Sequence, residues 1–338
     1  MDHSYVDLEA DSVDKFLTQA YEFAYDKGWT DGLPIIPPTA ESVQQFIAAS
    51  GHTGDELIGI ITPRKGRATV EAIAINSIMA GCRAEYMPVI IAAVEGLTDP
   101  TFPLEVMQLS TNAITPFLLI NGPVRKILDI NSGAGCLGPG WRANATIGRA
   151  IRLILINIGG ALPGVYSKSS FSSPLRYSYI CGENEEENPW TPFHVDQGFK
   201  REDSTVTVFR AANFSNISGG EGVGPDEILR QIASHMPPMW GGGGFVLLLG
   251  VNHAQSLHEA GLTKRDIQQQ LWELARSPTT NYSKAFVARE RSVGRADADT
   301  VWRSKSPDEN YIVVAGGPGP QNVYIAAGLP QTRLIQGV

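Results

Sequence analysis

The residues that could do chemistry in this chain are few and far apart. Met79-Ala-Gly-Cys82-Arg-Ala-Glu85 sets a thiol beside Arg83 and Glu85. A cysteine becomes a nucleophile when a cation or a helix N-terminus lowers its pKa. Arg83 supplies the cation, although the end of the preceding helix has the wrong dipole sign. Cys136 lies inside a glycine-rich loop whose backbone N–H groups favour a thiolate, and Cys181 lies on a strand candidate. For each of the three, a small, inert, buried side chain is the alternative.

The second concentration is Asn131-Ser-Gly-Ala-Gly-Cys-Leu-Gly138-Pro-Gly140, which runs into Trp141-Arg142-Ala-Asn144-Ala-Thr146-Ile-Gly-Arg149. Glycine-rich backbone entering a helix N-terminus presents free N–H groups, and Arg142 and Arg149 add guanidinium forks suited to a carboxylate or phosphate. The expectation is an anion cradle formed by Gly138, Gly140 and Arg142, with Asn144 or Thr146 as the helix cap. Neither a P-loop nor a dinucleotide fingerprint is present. The runs Gly241–Gly244 and Gly316–Gly319 read as turns.

A third is the acidic stretch Gly182-Glu183-Asn-Glu185-Glu186-Glu187-Asn-Pro-Trp190-Thr-Pro-Phe193-His194. Trp190 and Phe193 are poor residues for a solvated loop and should anchor it. Glu183 and Glu185 with His194 are candidates for acid/base work or for a divalent metal, although the spacing matches no zinc signature. Four strand candidates end in Asn121, Asn213, Asn252-His253 and Asn322, and ligands bind beyond strand ends in open α/β sheets.

The elements that must position these groups follow from periodicity and caps. Helices are expected over Ser12–Lys27, Thr39 to Ala49, Ala68–Ala80, Pro88–Leu97, Ala143–Ile158, Asp226–Ser234 and Lys264–Ala275. Strands are expected over Leu57–Ile61, Phe117–Ile120, Tyr177–Cys181, Thr205–Phe209, Phe245–Val251, Tyr311–Ala315 and Val323–Ala327, with Ser277–Asn310 irregular. The alternation makes an α/β protein with a mixed sheet and flanking helices. Asn76 and Asn157 follow similar Ala-Thr-apolar helix starts, which suggests an internal duplication. Residues 1–28 then form a tail, with His3 in it, and a helix. Residues 29–338 form one α/β unit, of two similar lobes at about 55–165 and 166–338 if duplicated.

Composition bounds the function. A charge of −8 offers nucleic acid no electrostatic footprint. No apolar run reaches a membrane span, and the acidic start does not resemble a signal peptide. Three scattered cysteines point to a reducing cytoplasm rather than a disulfide scaffold. Charged residues are only 18% of the chain, so surface hidden in a homo-oligomer is expected.

Four segments together resemble a bacterial family. They are Trp29-x-Asp-Gly-Leu-Pro-x-x-Pro-Pro-Thr39, Met79-Ala-Gly-Cys-x-x-Glu-Tyr-x-Pro-Val89, Gly138-Pro-Gly-x-Arg-Ala-Asn-x-x-Ile-Gly-Arg-Ala-x-Arg-Leu153, and Glu183-Asn-Glu-Glu186 with Pro189-Trp190. Over about residues 25 to 330 the chain is similar to the long proteins associated with the UGSC-type (seleno)protein group. Members with the naming segment carry a redox-type Cys or selenocysteine before Gly-Ser-Cys, which this chain lacks. The resemblance implies fold kinship and, as an alternative function, a thiol-dependent oxidoreductase.

The leading expectation is an enzyme of hydrolase or lyase type acting on a small anionic substrate, without a nucleotide cofactor. Cys82 would be nucleophile or general acid, Glu85 or Glu183 the base, and His253 a proton shuttle. Arg142 with Gly138 and Gly140 would hold the anion, and Asn121, Asn144 and Asn252 would orient the substrate. The expectation is of no cofactor, with a divalent metal as the alternative. A non-catalytic binding or assembly subunit is the remaining class. The enzymatic reading requires Cys82, Arg142, Glu183 and His253 to share one pocket.

Overall fold

The computed structural model describes residues 6–220, 222–236 and 243–337, so His3, Gly241 and Gly242 lie outside the described residues. Six segments form one mixed sheet: β1 (Thr115–Asn121), β2 (Ile180–Gly182), β3 (Thr205–Ser218), β4 (Phe245–Leu249), β5 (Asn310–Val314) and β6 (Gln321–Leu334). Their spatial order is β2-β1-β3-β6-β4-β5. Both β1 and β4 are buried at every position. A strand with one wet face alternates apolar and polar residues, so this sheet must be covered on both sides.

Helices cover the outer side in two groups. Against one end pack α1 (Ala40–Ser50), α2 (Val70–Ala80), α3 (Met87–Leu97) and α4 (Arg142–Asn157). Their apolar faces meet Leu118, Ile120, Val206 and Val208. Against the other end pack α5 (Pro225–Ser234), α6 (Val251–Glu259) and α7 (Lys264–Leu274), over Phe245, Leu247, Ile312 and Tyr324. α2 is apolar all round, as a helix buried between neighbours must be. Thr69 caps its start, and left-handed Gly81 ends it.

The inner side is covered by the sheet itself. Five strand spacings of about 4.8 Å would put the edges of a flat sheet about 24 Å apart. Instead the N–H of Asn184, just past β2, donates to the carbonyl of Val314, the last residue of β5, at 2.8 Å. The sheet is therefore curled until its edges meet. Register shifts at Ile325/Ala327 and Gly328/Gln331 mark the bulges that bend it. The enclosed cluster takes Phe117 and Leu119 from β1, Cys181 from β2, Phe209 from β3, Val246 from β4, Val313 from β5 and Ile325 from β6.

The two ends share one connectivity. β2 runs parallel to β1, which pairs antiparallel with β3. β5 runs parallel to β4, which pairs antiparallel with β6. β3 and β6 join the ends antiparallel. This topological repeat spans 115–218 and 245–334, not the expected lobes. The two helices that suggested duplication, α2 and α4, are neighbours in one layer, where Asn157 Nδ2 donates to Asn76 Oδ1 at 2.7 Å. They look alike because both are buried.

Most expected elements form, with differences at their ends. The strand expected over Phe245–Val251 stops at Leu249, and Gly250 caps α6, which puts Asn252 and His253 on a helix. Asn213 falls inside β3 rather than at its end. The stretch after Ser277 is structured: Arg276–Pro278 pairs with Thr300–Trp302, and the helix Lys284–Ser292 packs Phe286 and Val287 on Val301.

Gly122, at the turn leaving β1, has φ of 83°. A Cβ there would lie 2.1 Å from the carbonyl oxygen of Asp203. Gly122→Ala adds left-handed strain to a backbone clash. We expect a loss of about 2–4 kcal/mol in urea unfolding, with the denaturant slope unchanged.

Candidate active site

The loop before α4 lies on the end of β2, where the N–H of Gly182 donates to the carbonyl of Asn131 at 3.0 Å, and this brings two thiols together. Cys181 stands on β2 opposite Leu119, with its side chain in the enclosed cluster. Cys136 joins the same cluster from the glycine-rich loop before α4. The two side chains meet in this cluster, and neither forms a disulfide. The neighbouring Cys181 thiol is the main cause that holds the Cys136 thiol below its ordinary pKa. Burial opposes it, and backbone N–H groups of Gly316, Cys136 and Leu137 help it. The same contact pushes the Cys181 thiol well up, together with burial and the charges of Cys136 and Glu183. The contact thus drives the two thiols apart, Cys136 downward and Cys181 upward.

Buried Asn144 fixes the loop that carries Cys136. Its Oδ1 accepts from the N–H of Asn131 at 2.8 Å, and its Nδ2 donates to the carbonyls of Asn131 and Cys136 at 3.0 and 3.1 Å. Trp141 caps α4 without a side-chain bond, so neither Asn144 nor Thr146 is the cap. On the far side, the N–H of Gly316 donates to the carbonyl of Ser132 at 2.8 Å. A Cβ on Gly317 would lie 2.7 Å from that of Ala134. Two glycine-rich loops therefore close over the thiols, and their small residues permit the close approach.

Glu183 follows β2 directly and is fully buried. Its carboxylate accepts from the N–H of Phe193 at 2.7 Å, from Asn188 Nδ2 at 2.8 Å, and from Asn121 Nδ2. Burial nonetheless pushes its carboxyl above the usual range, against the pull of Lys264, Phe193 and Asn121. Its charge is one of the causes that push the Cys181 thiol up, and a carboxyl raised in this way suits proton transfer. The rest of the acidic stretch is bolted to Arg125, which is 4% exposed. Arg125 contacts Glu185 and Glu186, each at 3.1 Å, and donates to the carbonyl of Glu183 at 2.7 Å. Trp190 and Phe193 do anchor the loop: Trp190 Nε1 donates to the carbonyl of Leu262 at 3.0 Å, and Phe193 joins the enclosed cluster.

The other expected residues are distributed elsewhere. Cys82 is buried among the first group of helices, and its Sγ donates to the carbonyl of Thr146 at 3.3 Å. Burial pushes this thiol up to about 12, with Thr146, Arg142 and Arg149 pulling the other way. It is a neutral core side chain and not a nucleophile. Arg142 does not form a cradle with Gly138 and Gly140, which are exposed. Its guanidinium donates to the carbonyls of Gly81 and Cys82 at 3.0 and 3.3 Å, ending α2. Arg149 is paired with Asp31 at 2.9 Å. Glu85 is exposed on the turn Ala84–Tyr86. His253 lies under the start of α6, where its Nδ1 meets Asn322 Nδ2 at 2.8 Å. Asn252 Oδ1 accepts from the N–H of Gly319 at 3.2 Å. The surroundings of Cys82, Glu183 and His253 share no hydrogen-bond partner, and the common pocket required of them is not built.

Glu185 lies 3.9 Å from His194 Nδ1, the nearest approach to the expected acid/base or metal pair. Among the described residues no group of three or more His, Cys, Asp or Glu is arranged to hold a metal ion. A cavity of about 540 Å³ is lined by Trp29, Arg64, Arg67, Thr69 and Asn157, and neither thiol lines it. Among the described residues no helix is long and apolar enough to cross a membrane. In comparisons with known proteins, no family model and no curated protein matches the chain.

Glu186 supplies a test of this charge network. Burial pushes its carboxyl up, but hydrogen bonds from Arg125 and Lys126 outweigh that and hold it at about 2, down from 4.5. A carboxyl depressed by folding stabilises the native state above the unfolded pKa and loses that contribution as pH falls through the folded one. Glu186→Gln should therefore lower stability at neutral pH and flatten its decline between pH 4.5 and about 2. Urea midpoints measured at stepped pH check both signs.

Proposed function

We propose that the chain is a thiol-dependent oxidoreductase that reduces a small-molecule disulfide, with Cys136 as the attacking thiol and Cys181 as the resolving one. The observation that carries this reading is the pair of free thiols that meet in the enclosed cluster. The Cys136 thiolate attacks one sulfur of the substrate disulfide. A mixed disulfide forms, and the first product leaves as a thiolate and takes up a proton. Cys181 gives its proton to Glu183 and attacks the Cys136 sulfur. The second product thiol leaves with a proton, and a Cys136–Cys181 disulfide remains. Two electrons pass from the dithiol to the substrate, and a dithiol reductant restores the pair.

The resemblance to proteins of which some carry a redox-type Cys supports the same chemistry. The hydrolase or lyase reading has less support, because Cys82 is buried among helices away from Glu183 and His253 and Glu85 is exposed on a turn. A reducing cytoplasm suits a pair that must return to the dithiol form. Exposed Trp29, Leu33, Ile36, Leu57 and Ile60 support a homo-oligomer that covers them.

Treatment with a small disulfide and peptide mass mapping tests the proposal. We expect loss of two hydrogens per chain and a peptide linking Cys136 to Cys181, absent in Cys136→Ser and Cys181→Ser. A pair that stays reduced while substrate disulfide is in excess would overturn it. Alkylation gives a second check. At pH 8 iodoacetamide should modify Cys136 well before Cys82, whose thiol is pushed up to about 12. Equal rates would remove the assignment of the attacking thiol.

A further inference from the structure

We propose that the space between Arg152 and Arg176 is a binding site for one monatomic anion of chloride size, held inside the protein as a counter-ion. Arg152 projects from the middle of α4 and is 9% exposed. Its Nε donates to the carbonyl of Arg176 and its Nη2 to Thr115 Oγ1, both at 2.9 Å. Arg176 donates to Ser167 Oγ at 2.9 Å and to the carbonyl of Ile114 at 3.0 Å. Every one of these acceptors is neutral. Among the described residues no carboxylate lies within 4.0 Å of either guanidinium.

Buried charges in proteins are paired, since removing an ion from water is costly. Here two like charges adjoin with no partner. Arginine does not escape by giving up its proton. The charge must be neutralised from outside the chain. Burial, then repulsion by Arg176, pushes the Arg152 guanidinium down from its ordinary value, with Asp31 only partly offsetting this. Asp31 is itself committed to Arg149.

The hydrogen-bond inventory points the same way. Arg176 Nε and the hydroxyl of Tyr179, which is 4% exposed, are buried without a partner. Both residues line a cavity of about 10 Å³ with Thr115, Gly148, Arg152 and Leu175. A second cavity of about 10 Å³, on the other side of the same two arginines, adds Gln108 and Ser167. Space of this size takes one water-sized particle. So small a space favours a monatomic anion over a tetrahedral oxyanion, and a halide accepts from donors in any direction.

The whole protein is dialysed into sodium gluconate, then titrated with sodium chloride or bromide at constant ionic strength. A saturable rise of a few degrees in Tm is expected for both halides and none for sulfate. Arg176→Gln should abolish the response. Because that variant removes hydrogen bonds to Ser167 and Ile114, wild-type crystals grown in bromide give an independent readout: an anomalous peak between the two guanidinium groups. A Tm indifferent to chloride, an equal effect of sulfate, an undiminished response in Arg176→Gln, or no bromide peak at this position would each overturn the proposal.

Discussion

A sheet apolar on both faces must be covered twice, and that requirement governs this structure. Helices cover the outer face. No helix covers the inner one, so the sheet bends on itself until β2 and β5 meet and their side chains fill the interior. The aromatic contacts show how closely that interior is packed: Phe117 lies 4.7 Å from Tyr179, and Phe209 lies 5.5 Å from Tyr311, ring centre to ring centre. The first joins β1 to the residue before β2. The second joins β3 to β5, across the closure.

Closure creates the chemistry as well as the core. Past the two edge strands the chain turns through Glu183-Asn184 on one side and Gly316–Gly319 on the other. The hydrogen bonds between these turns and the Cys136 loop draw a thiol from a loop against a thiol from a strand. The low-dielectric interior strengthens each interaction there, which is why one contact depresses one thiol and raises its neighbour.

The two halves use buried polar groups differently. At the end of β1, Asn121 and Arg125 satisfy a run of carboxylates, so that buried negative charge meets donors and a cation. Beside β2, Arg152 and Arg176 hold α4 against the sheet through neutral oxygens only, and positive charge is left over. At the second end, His253 and Asn322 tie the start of α6 to β6 through hydrogen bonds. Buried polar networks of this kind specify one arrangement of helices on a sheet, because any slip leaves groups unpaired.

The amino-acid sequence by itself determined the α/β class, most helices and strands, and the anchoring of the acidic loop by Trp190 and Phe193. These depend on local signals: 3.6- and 2-residue periodicity, caps such as Ser12, Thr39 and Thr263, and aromatic residues out of place in a polar run. It also contained the reason to watch Cys136, since glycine-rich backbone favours a thiolate. It did not show that Cys181, 45 positions further on, would be its neighbour, or that Arg142 would end α2 rather than hold a ligand. Those outcomes depend on how far a sheet curls and which helix ends abut. Both are settled by burial summed over the whole fold, and no spacing along the chain records them.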